Sequence, residues 1–161
     1  MNDTHITVGT VPRARAVTMT GLEILRALIA GEFPRPPIAV PLRFLPVAAE
    51  RGRVVFEGEA DASLLNPFGV VHGGWAMTLL DSAMSCAVLS ALPAGQAQTT
   101  AELKVNLVRP ILPTTGTVRA EGTLVHQGRQ LATAEGRLVD AAGKLLAHGT
   151  TTCVIFDLPA A

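Results

Sequence analysis

The 161-residue chain has a globular composition, with 48% hydrophobic and 16% charged residues, which argues against a disordered protein. Its 13 basic and 13 acidic residues give a formal net charge of zero without a long basic block, which argues against a nucleic-acid partner. Cys86 and Cys153 form no CxxC pair, and the first 17 residues lack the apolar core of a signal peptide. A soluble cytoplasmic protein without a membrane span is therefore expected.

A mobile arm and one helix are predicted for the N-terminal segment. Residues 1–17 are polar and are interpreted as the arm. In residues 18–33 the apolar side chains recur at nearly helical spacing. Thr20 and Glu23 have the spacing of a capping box, and the PRPP run at 34–37 ends the helix.

Two strands, a loop and a long helix are predicted next. Segments 41–50 and 51–60 have the rhythm of strands, with a turn at their junction. An Asn-Pro pair and two glycines mark 66–74 as a loop. The apolar run that follows predicts a helix over roughly 74–92.

The rest of the chain is predicted to consist of strands. Residues 97–107 alternate apolar and polar side chains with a period of two. Turns at HQGRQ and DAAGK join three further strands into an antiparallel meander, over 116–127, 129–140 and 144–156. Small residues on one face of the last two strands allow a helix to approach closely. The sequence therefore predicts an α+β fold in which a curved antiparallel sheet of five to six strands wraps around one long helix.

Asp81 is the one charged residue of the long helix. At about 100° per residue, Thr78, Asp81, Ser82 and Ser85 fall in one narrow stripe. This stripe is either the solvent face of the helix, with an ordinary exposed carboxylate, or the wall of a cleft. A solvent face normally carries several long charged side chains, which this stripe lacks. A carboxylate in a cleft is costly unless it is paired, so its presence there points to chemistry.

The start of the long helix offers a complementary group. Gly73 and Gly74 lie where backbone N–H groups have no partner within the helix. A developing oxyanion would meet these donors and the positive end of the helix dipole. Two glycines alone also fit a merely flexible helix start. The combination of Asn66, His-Gly-Gly and an acid eight residues after Gly73 is more specific.

Three segments of the chain resemble one known family. NPFGVVHGGWAMTLLDSA, at residues 66–83, resembles the signature of hotdog-fold acyl-CoA thioesterases of the phenylacetate-degradation (PaaI) type. TTAELKVNLVRPI and HQGRQLATAEGRLVDAAGKLLAHGTTTC resemble the strands that follow it there. The resemblance covers about residues 20–156 and implies a hotdog fold. The chain is accordingly divided into an N-terminal arm with an extra helix, 1–37, and a hotdog thioesterase domain, 38–161.

The resemblance implies a role for each residue that matches the signature. Asp81 corresponds to the general base or nucleophile, and the N–H of Gly73 to the group that polarises the thioester carbonyl. Asn66 corresponds to a side chain that positions the carbonyl or the water. Thr99 corresponds to a hydroxyl that assists the water, and His72 to a histidine that shapes the loop.

The resemblance also implies the ligand and the assembly. Gly74, which lacks a side chain, allows a ligand to approach closely. Arg109, Gly128 and Arg129 are candidates for contacting the CoA nucleotide and phosphates, because a Gly-Arg pair after the fourth strand often lies near CoA in the family that the chain resembles. The alternative is a solvated arginine at both Arg109 and Arg129, with Gly128 in a hairpin turn. The site of this family lies between two subunits, so a homodimer or a homotetramer made of two dimers is implied. No metal and no cofactor is expected beyond the CoA thioester substrate itself.

The resulting hypothesis is an acyl-CoA thioesterase that releases a carboxylic acid and free CoA. Its rivals are a hotdog enoyl-CoA hydratase or dehydratase, a non-catalytic acyl-CoA sensor, and a purely structural interaction domain. The absence of a G-x-S-x-G motif argues against an α/β-hydrolase. The sequence leaves open the acyl group, the choice between CoA and an acyl carrier, and the role of the extra helix.

Overall fold

Six antiparallel strands form one sheet in the computed structural model, which describes residues 7–159. The strands are β1 (Phe44–Glu50), β2 (Arg53–Glu59), β3 (Gln96–Leu107), β4 (Thr117–Gln127), β5 (Leu131–Asp140) and β6 (Leu145–Asp157). They lie in the order β1-β2-β4-β5-β6-β3. The paired β1 and β2 and the meander of β4, β5 and β6 confirm the strand predictions.

The helices are α1 (Arg13–Ala16), α2 (Gly21–Ile29), α3 (Ala39–Leu42) and α4 (Gly73–Leu89). The predicted capping box begins α2, where the N–H of Thr20 donates to Oε2 of Glu23 at 2.7 Å and the N–H of Glu23 donates to Oγ1 of Thr20 at 3.3 Å. The last predicted helix ends three residues earlier than expected, at Leu89. Its C-cap, Ser90, donates its hydroxyl to the carbonyl of Ala87 and accepts the N–H of Gly52.

The central helix α4 packs against the sheet, which confirms the predicted hotdog architecture. Most of its apolar side chains are buried, and those of Leu79, Leu80 and Met84 are fully buried. The sheet approaches it closely at small residues, as expected. A Cβ atom added to Gly122 would lie 2.2 Å from the carbonyl oxygen of Ala83, so this strand position has no room for a side chain.

The strand β3 forms one edge of the sheet. It pairs with β6 along its length, and within residues 7–159 no strand lies on its other side. After β3 the chain crosses the fold, so that β4 pairs with β2 and β5. The sequence predicts β3 but not this position in the strand order. Its 12 residues therefore present an unpaired row of backbone N–H and C=O groups.

The N-terminal segment is attached to the rest of the fold. The N–H of Gly9 donates to the carbonyl of Arg35 at 3.0 Å, and the N–H of Arg35 donates to the carbonyl of Thr7 at 2.9 Å. The prediction of a mobile arm is therefore wrong for residues 7–17, because backbone hydrogen bonds fix them, whereas residues 1–6 lie outside the described part of the chain. The helix α2 packs on β1 and α4.

Candidate active site

The polar stripe of α4 is neither open to solvent nor fully buried. Thr78, Asp81, Ser82 and Ser85 are all half-buried. The Oγ1 hydroxyl of Thr100, on β3, donates to Oδ1 of Asp81 at 2.7 Å. Oδ2 of Asp81 accepts no hydrogen bond from residues 7–159 and remains able to accept a proton. The geometry therefore favours the cleft over the plain solvent face.

A β-bulge determines which threonine meets Asp81. Leu103 and Val105 pack against the core, and strict alternation would place Thr99 on that same face. The pairing of β3 with β6 shifts register between Thr100 and Glu102, which reverses the alternation upstream. Thr100 therefore faces α4, and Thr99 is exposed. The sequence reasoning missed Thr100, and the role implied for Thr99 stays a prediction.

Gln98 is a second polar residue that the sequence reasoning missed. It lies two residues before Thr100, on the same face of β3 and about 7 Å further along the strand. Its side-chain oxygen is buried and accepts no hydrogen bond from the described residues. An unsatisfied buried acceptor costs about 1–3 kcal/mol, which any donor bound beside it would offset.

His72 is the N-cap of α4, and this contact shapes the loop. Its Nδ1 accepts the N–H of Gly74 at 2.9 Å, and its own N–H donates to the carbonyl of Leu64 at 2.8 Å. The backbone N–H of Gly74 is therefore already hydrogen-bonded to His72. The N–H of Gly73 finds no acceptor among residues 7–159, so it is the free donor at the positive end of the helix.

Asn66 organises the loop before α4. Its side-chain Oδ1 accepts the N–H of Phe68 at 2.9 Å, and its backbone N–H donates to the carbonyl of Val70 at 2.8 Å. The loop therefore uses the oxygen of the amide, and the side-chain NH2 group is the part that a ligand would contact. Sequence reasoning places Asn66 near Gly73, and the structure does bring them together.

A shallow cavity of about 260 Å³ collects Asn66, Gly73 and Arg109. Arg109 is exposed, and its guanidinium donates to the carbonyl of Leu145. A Cβ atom added to Gly73 would lie 2.5 Å from Cδ1 of Leu107, so glycine keeps this cavity open. This group forms the donor half of the candidate site.

Gly128 and Arg129 lie in the hairpin between β4 and β5, far from Arg109. The N–H of Gly128 donates to the carbonyl of Leu131 at 2.8 Å, and Arg129 is exposed. Leu131 pairs with Val154, and Val154 pairs with Thr99 near the start of β3. Because Arg109 follows the other end of β3, one chain does not bring the predicted CoA contacts together.

Comparisons with known proteins agree with this architecture. The family model described as "Thioesterase superfamily" matches residues 68–147. A crystal structure from Ralstonia eutropha, described as a candidate thioesterase related to phenylacetic acid degradation, shares 30% identity. That alignment covers 81% of this chain and 98% of that one, with a TM-score of 0.73.

The chain belongs to the thioesterase superfamily.

Two further similarities extend this finding. A candidate esterase of Saccharolobus solfataricus is 33% identical over 96 residues, which cover 60% of this chain and 66% of that relative's length. A structure from Streptococcus mutans bound to acetyl-CoA has a TM-score of 0.65 at 24% identity, covering 73% of this chain and 91% of that one, and shows a shared fold. By class, therefore, the protein is a thioester hydrolase.

The two halves of the candidate site are separated within one chain. Gly73 and Asp81 lie eight residues apart on α4, or about 12 Å along the helix axis. An oxyanion donor and an attacking group must each lie about 3 Å from the same carbonyl group. The Gly73 and Asp81 of a single chain therefore do not both contact one carbonyl group directly.

The thiol of Cys86 lies beside the acid half of the site. Burial, together with the nearby negative charge of Asp81, raises the pKa of this thiol to about 12. Burial also raises the pKa of Cys153. Both cysteines are free thiols. The Cys86 thiol is therefore protonated at physiological pH and is not a nucleophile in the site.

Replacing Cys86 with alanine is expected to reduce the fall in the free energy of unfolding that accompanies a rise to alkaline pH. Above about pH 9 the thiol of the unfolded chain releases a proton that the folded chain keeps, so the free energy of unfolding falls by about 1.4 kcal/mol per pH unit. The chain contains no tyrosine to titrate in the same range. Urea unfolding of wild type and Cys86→Ala at pH 7, 9 and 10 measures the effect. Parallel pH profiles for the two proteins would contradict a buried thiol.

Two properties of residues 7–159 complete the description. No helix in this range has both the length and the apolar character required to cross a membrane. In the same range, no three His, Cys, Asp or Glu side chains lie together as a metal-binding group.

Proposed function

We propose that this protein is an acyl-CoA thioesterase in which Asp81 activates water or attacks the thioester directly. The observation that carries the proposal is the state of the Asp81 carboxylate: Thr100 holds one oxygen, while the other is uncommitted in a half-buried stripe. A fixed carboxylate with one available oxygen is suited to general-base or nucleophilic catalysis.

In the general-base form, Asp81 takes a proton from water as the hydroxide oxygen bonds to the thioester carbon. The carbonyl oxygen becomes an oxyanion, which the free N–H of Gly73 and the NH2 group of Asn66 stabilise. The C–S bond then breaks, the carbonyl re-forms, and the proton held by Asp81 passes to the departing CoA thiolate. In the nucleophilic form, an oxygen of Asp81 bonds to the thioester carbon and the C–S bond breaks, which releases CoA as a thiolate and leaves a mixed anhydride. Water then cleaves this anhydride to the free carboxylic acid, which restores the Asp81 carboxylate and supplies the proton that the thiolate takes up. Neither form requires a metal or a cofactor.

The proposal includes a homodimer in which two chains complete each site. If β3 pairs antiparallel with β3 of a second copy, the Leu107 end of each strand meets the Thr99 end of the other. Gly73, Asn66 and Arg109 of one subunit would then approach Asp81 of the partner subunit. The unpaired edge of β3 and the 12 Å separation within one chain, estimated from about 1.5 Å per residue, support this arrangement. The proposal further includes the pairing of two such dimers into a homotetramer.

CoA is the proposed carrier of the acyl group. Arg109 lies beside the donor half, and the Gly128–Arg129 hairpin lies at the opposite end of the sheet. The antiparallel dimer would bring Arg109 toward the hairpin of the other subunit, so that two cations serve the CoA phosphates. The acetyl-CoA bound to the Streptococcus mutans relative supports this choice. A cytoplasmic location, favoured by the two free thiols, belongs to the same proposal.

One assay separates hydrolysis from the alternatives. The protein is mixed with acetyl-, octanoyl-, phenylacetyl- and crotonyl-CoA, and free thiol is followed with a chromogenic disulfide, while the loss of the conjugated double bond is followed in the ultraviolet. Thiol release from at least one saturated acyl-CoA is expected. Binding without thiol release would support the sensor, and loss of the double bond without thiol release would support the hydratase.

A further inference from the structure

A cavity of about 720 Å³ lies between the N-terminal helix and the central helix. Leu25 and Ile29 of α2 form one wall, and Phe33 lies in the turn that follows α2. Phe44 of β1 and Phe56 of β2 form the opposite wall. Its lining is thus largely apolar and aromatic, and its volume lies in the range of about 300–1,000 Å³ that is typical of small-molecule sites.

The floor of this cavity is the polar stripe of α4. Ser82, Ser85 and Cys86 line it, and Ser82 directly follows Asp81. The influence of the Asp81 charge on the pKa of the Cys86 thiol shows that the floor and the carboxylate are close in space. The cavity therefore opens beside the acid half of the candidate site and is distinct from the shallow donor cavity around Gly73.

We propose that this cavity binds the acyl chain of the substrate and selects bulky apolar acyl groups over acetyl, an inference that rests on the proposed hydrolysis of acyl-CoA. A thioester carbonyl held at Asp81 would direct its acyl group along Ser82 and Ser85 toward the aromatic wall. An acetyl group would leave most of the 720 Å³ unfilled, whereas each buried methylene of a longer chain adds binding free energy. Medium-chain alkyl and aryl groups share this apolar chemistry.

The walls of the cavity come from a part of the chain that the family model does not match. That model covers residues 68–147, whereas α2, the turn after it, β1 and β2 lie within residues 21–59. The N-terminal helix thus gains a role beyond shielding the edge strand β1. Acyl selectivity is assigned to this N-terminal part of the chain, while Gly73 and Asp81 lie in the matched region.

A binding experiment that needs no turnover tests the acyl pocket. S-ethyl-CoA, S-octyl-CoA and S-(2-phenylethyl)-CoA are thioethers that cannot be hydrolysed, and their Kd values are measured by calorimetry on the full chain. Wild type is expected to bind the octyl compound at least about ten-fold more tightly than the ethyl compound. The phenylethyl compound shows whether an aryl group uses the same space. Equal affinity for all three would overturn the proposal.

Variants that fill the cavity test whether the preference for S-octyl-CoA over S-ethyl-CoA arises there. Ser85→Phe places a ring on the floor and is expected to reduce the octyl-over-ethyl preference to below about three-fold. Ser85→Ala, which adds no volume, is the matched control and keeps the preference. Ile29→Trp tests the α2 wall at a position that is already 37% exposed, with exposed Arg26→Ala as its control on the same helix. If both Ser85→Phe and Ile29→Trp still bind S-octyl-CoA more tightly than S-ethyl-CoA to the same extent as wild type, the acyl group binds elsewhere and the proposal fails.

The outcomes for the pocket and for the reaction remain distinguishable. Wild type could prefer S-octyl-CoA, lose that preference in both Ser85→Phe and Ile29→Trp, and yet release no thiol from octanoyl-CoA. That result would support the acyl pocket and contradict the proposed thioester hydrolysis. Thiol release without any chain-length preference would retain the hydrolase and reject the pocket.

Discussion

An Asp81→Asn variant is expected to lose thioesterase turnover by roughly 10²–10⁴-fold, because an amide can neither accept a proton from water nor attack the thioester. Asparagine has nearly the same shape, and its side-chain oxygen can still accept the hydroxyl of Thr100. The Kd of S-octyl-CoA is therefore expected to stay within a few-fold of wild type. Initial rates of thiol release measure the first quantity and calorimetry the second.

The control for this variant is an exposed acid away from β3. Glu135→Gln neutralises an exposed carboxylate of β5 and is expected to leave turnover unchanged. Thr100→Val tests the positioning hydroxyl, and a lower kcat with little change in KM is expected. Full activity in Asp81→Asn would show that the mechanism proposed for this residue is wrong.

A Gly73→Pro variant is expected to reduce kcat by roughly 10²–10³-fold, the typical effect of deleting one oxyanion-hole donor. Proline removes the N–H of Gly73, which has no acceptor among residues 7–159 and lies at the first helical position, where proline is well tolerated. The preceding residue, His72, has ψ of 131°, which suits a residue before proline. The substitution thus deletes the donor with little disturbance of the helix.

Gly73→Ala is the matched control, because it keeps the N–H and adds a Cβ atom. That atom meets the end of the flexible Leu107 side chain at 2.5 Å, so a smaller loss is expected from crowding of the cavity. Steady-state kcat and circular dichroism are measured for both variants. Equal losses in the two would assign the effect to crowding rather than to the donor and would contradict the proposed oxyanion contact.

The local structure was largely determined by the sequence. The capping box of Thr20 and Glu23 begins α2, and the apolar run after His-Gly-Gly forms α4, because both depend on contacts between residues close in the chain. The segment that holds Asn66, Gly73 and Asp81 resembles a thioesterase signature, and the comparisons with known proteins confirm that family. Small strand residues such as Gly136 indicated correctly that a helix packs against the sheet.

The arrangement of the site was decided by the tertiary structure. A bulge in the pairing of β3 with β6 turned Thr100, rather than Thr99, toward Asp81, and the side-chain alternation of one strand contains no signal for such a shift. The exposed edge of β3 and the cavity between α2 and α4 likewise arise from segments distant in the chain. Short-range periodicity specifies which elements form and which face each one buries. The partners across those faces depend on long-range packing, and here that packing determines what surrounds Asp81.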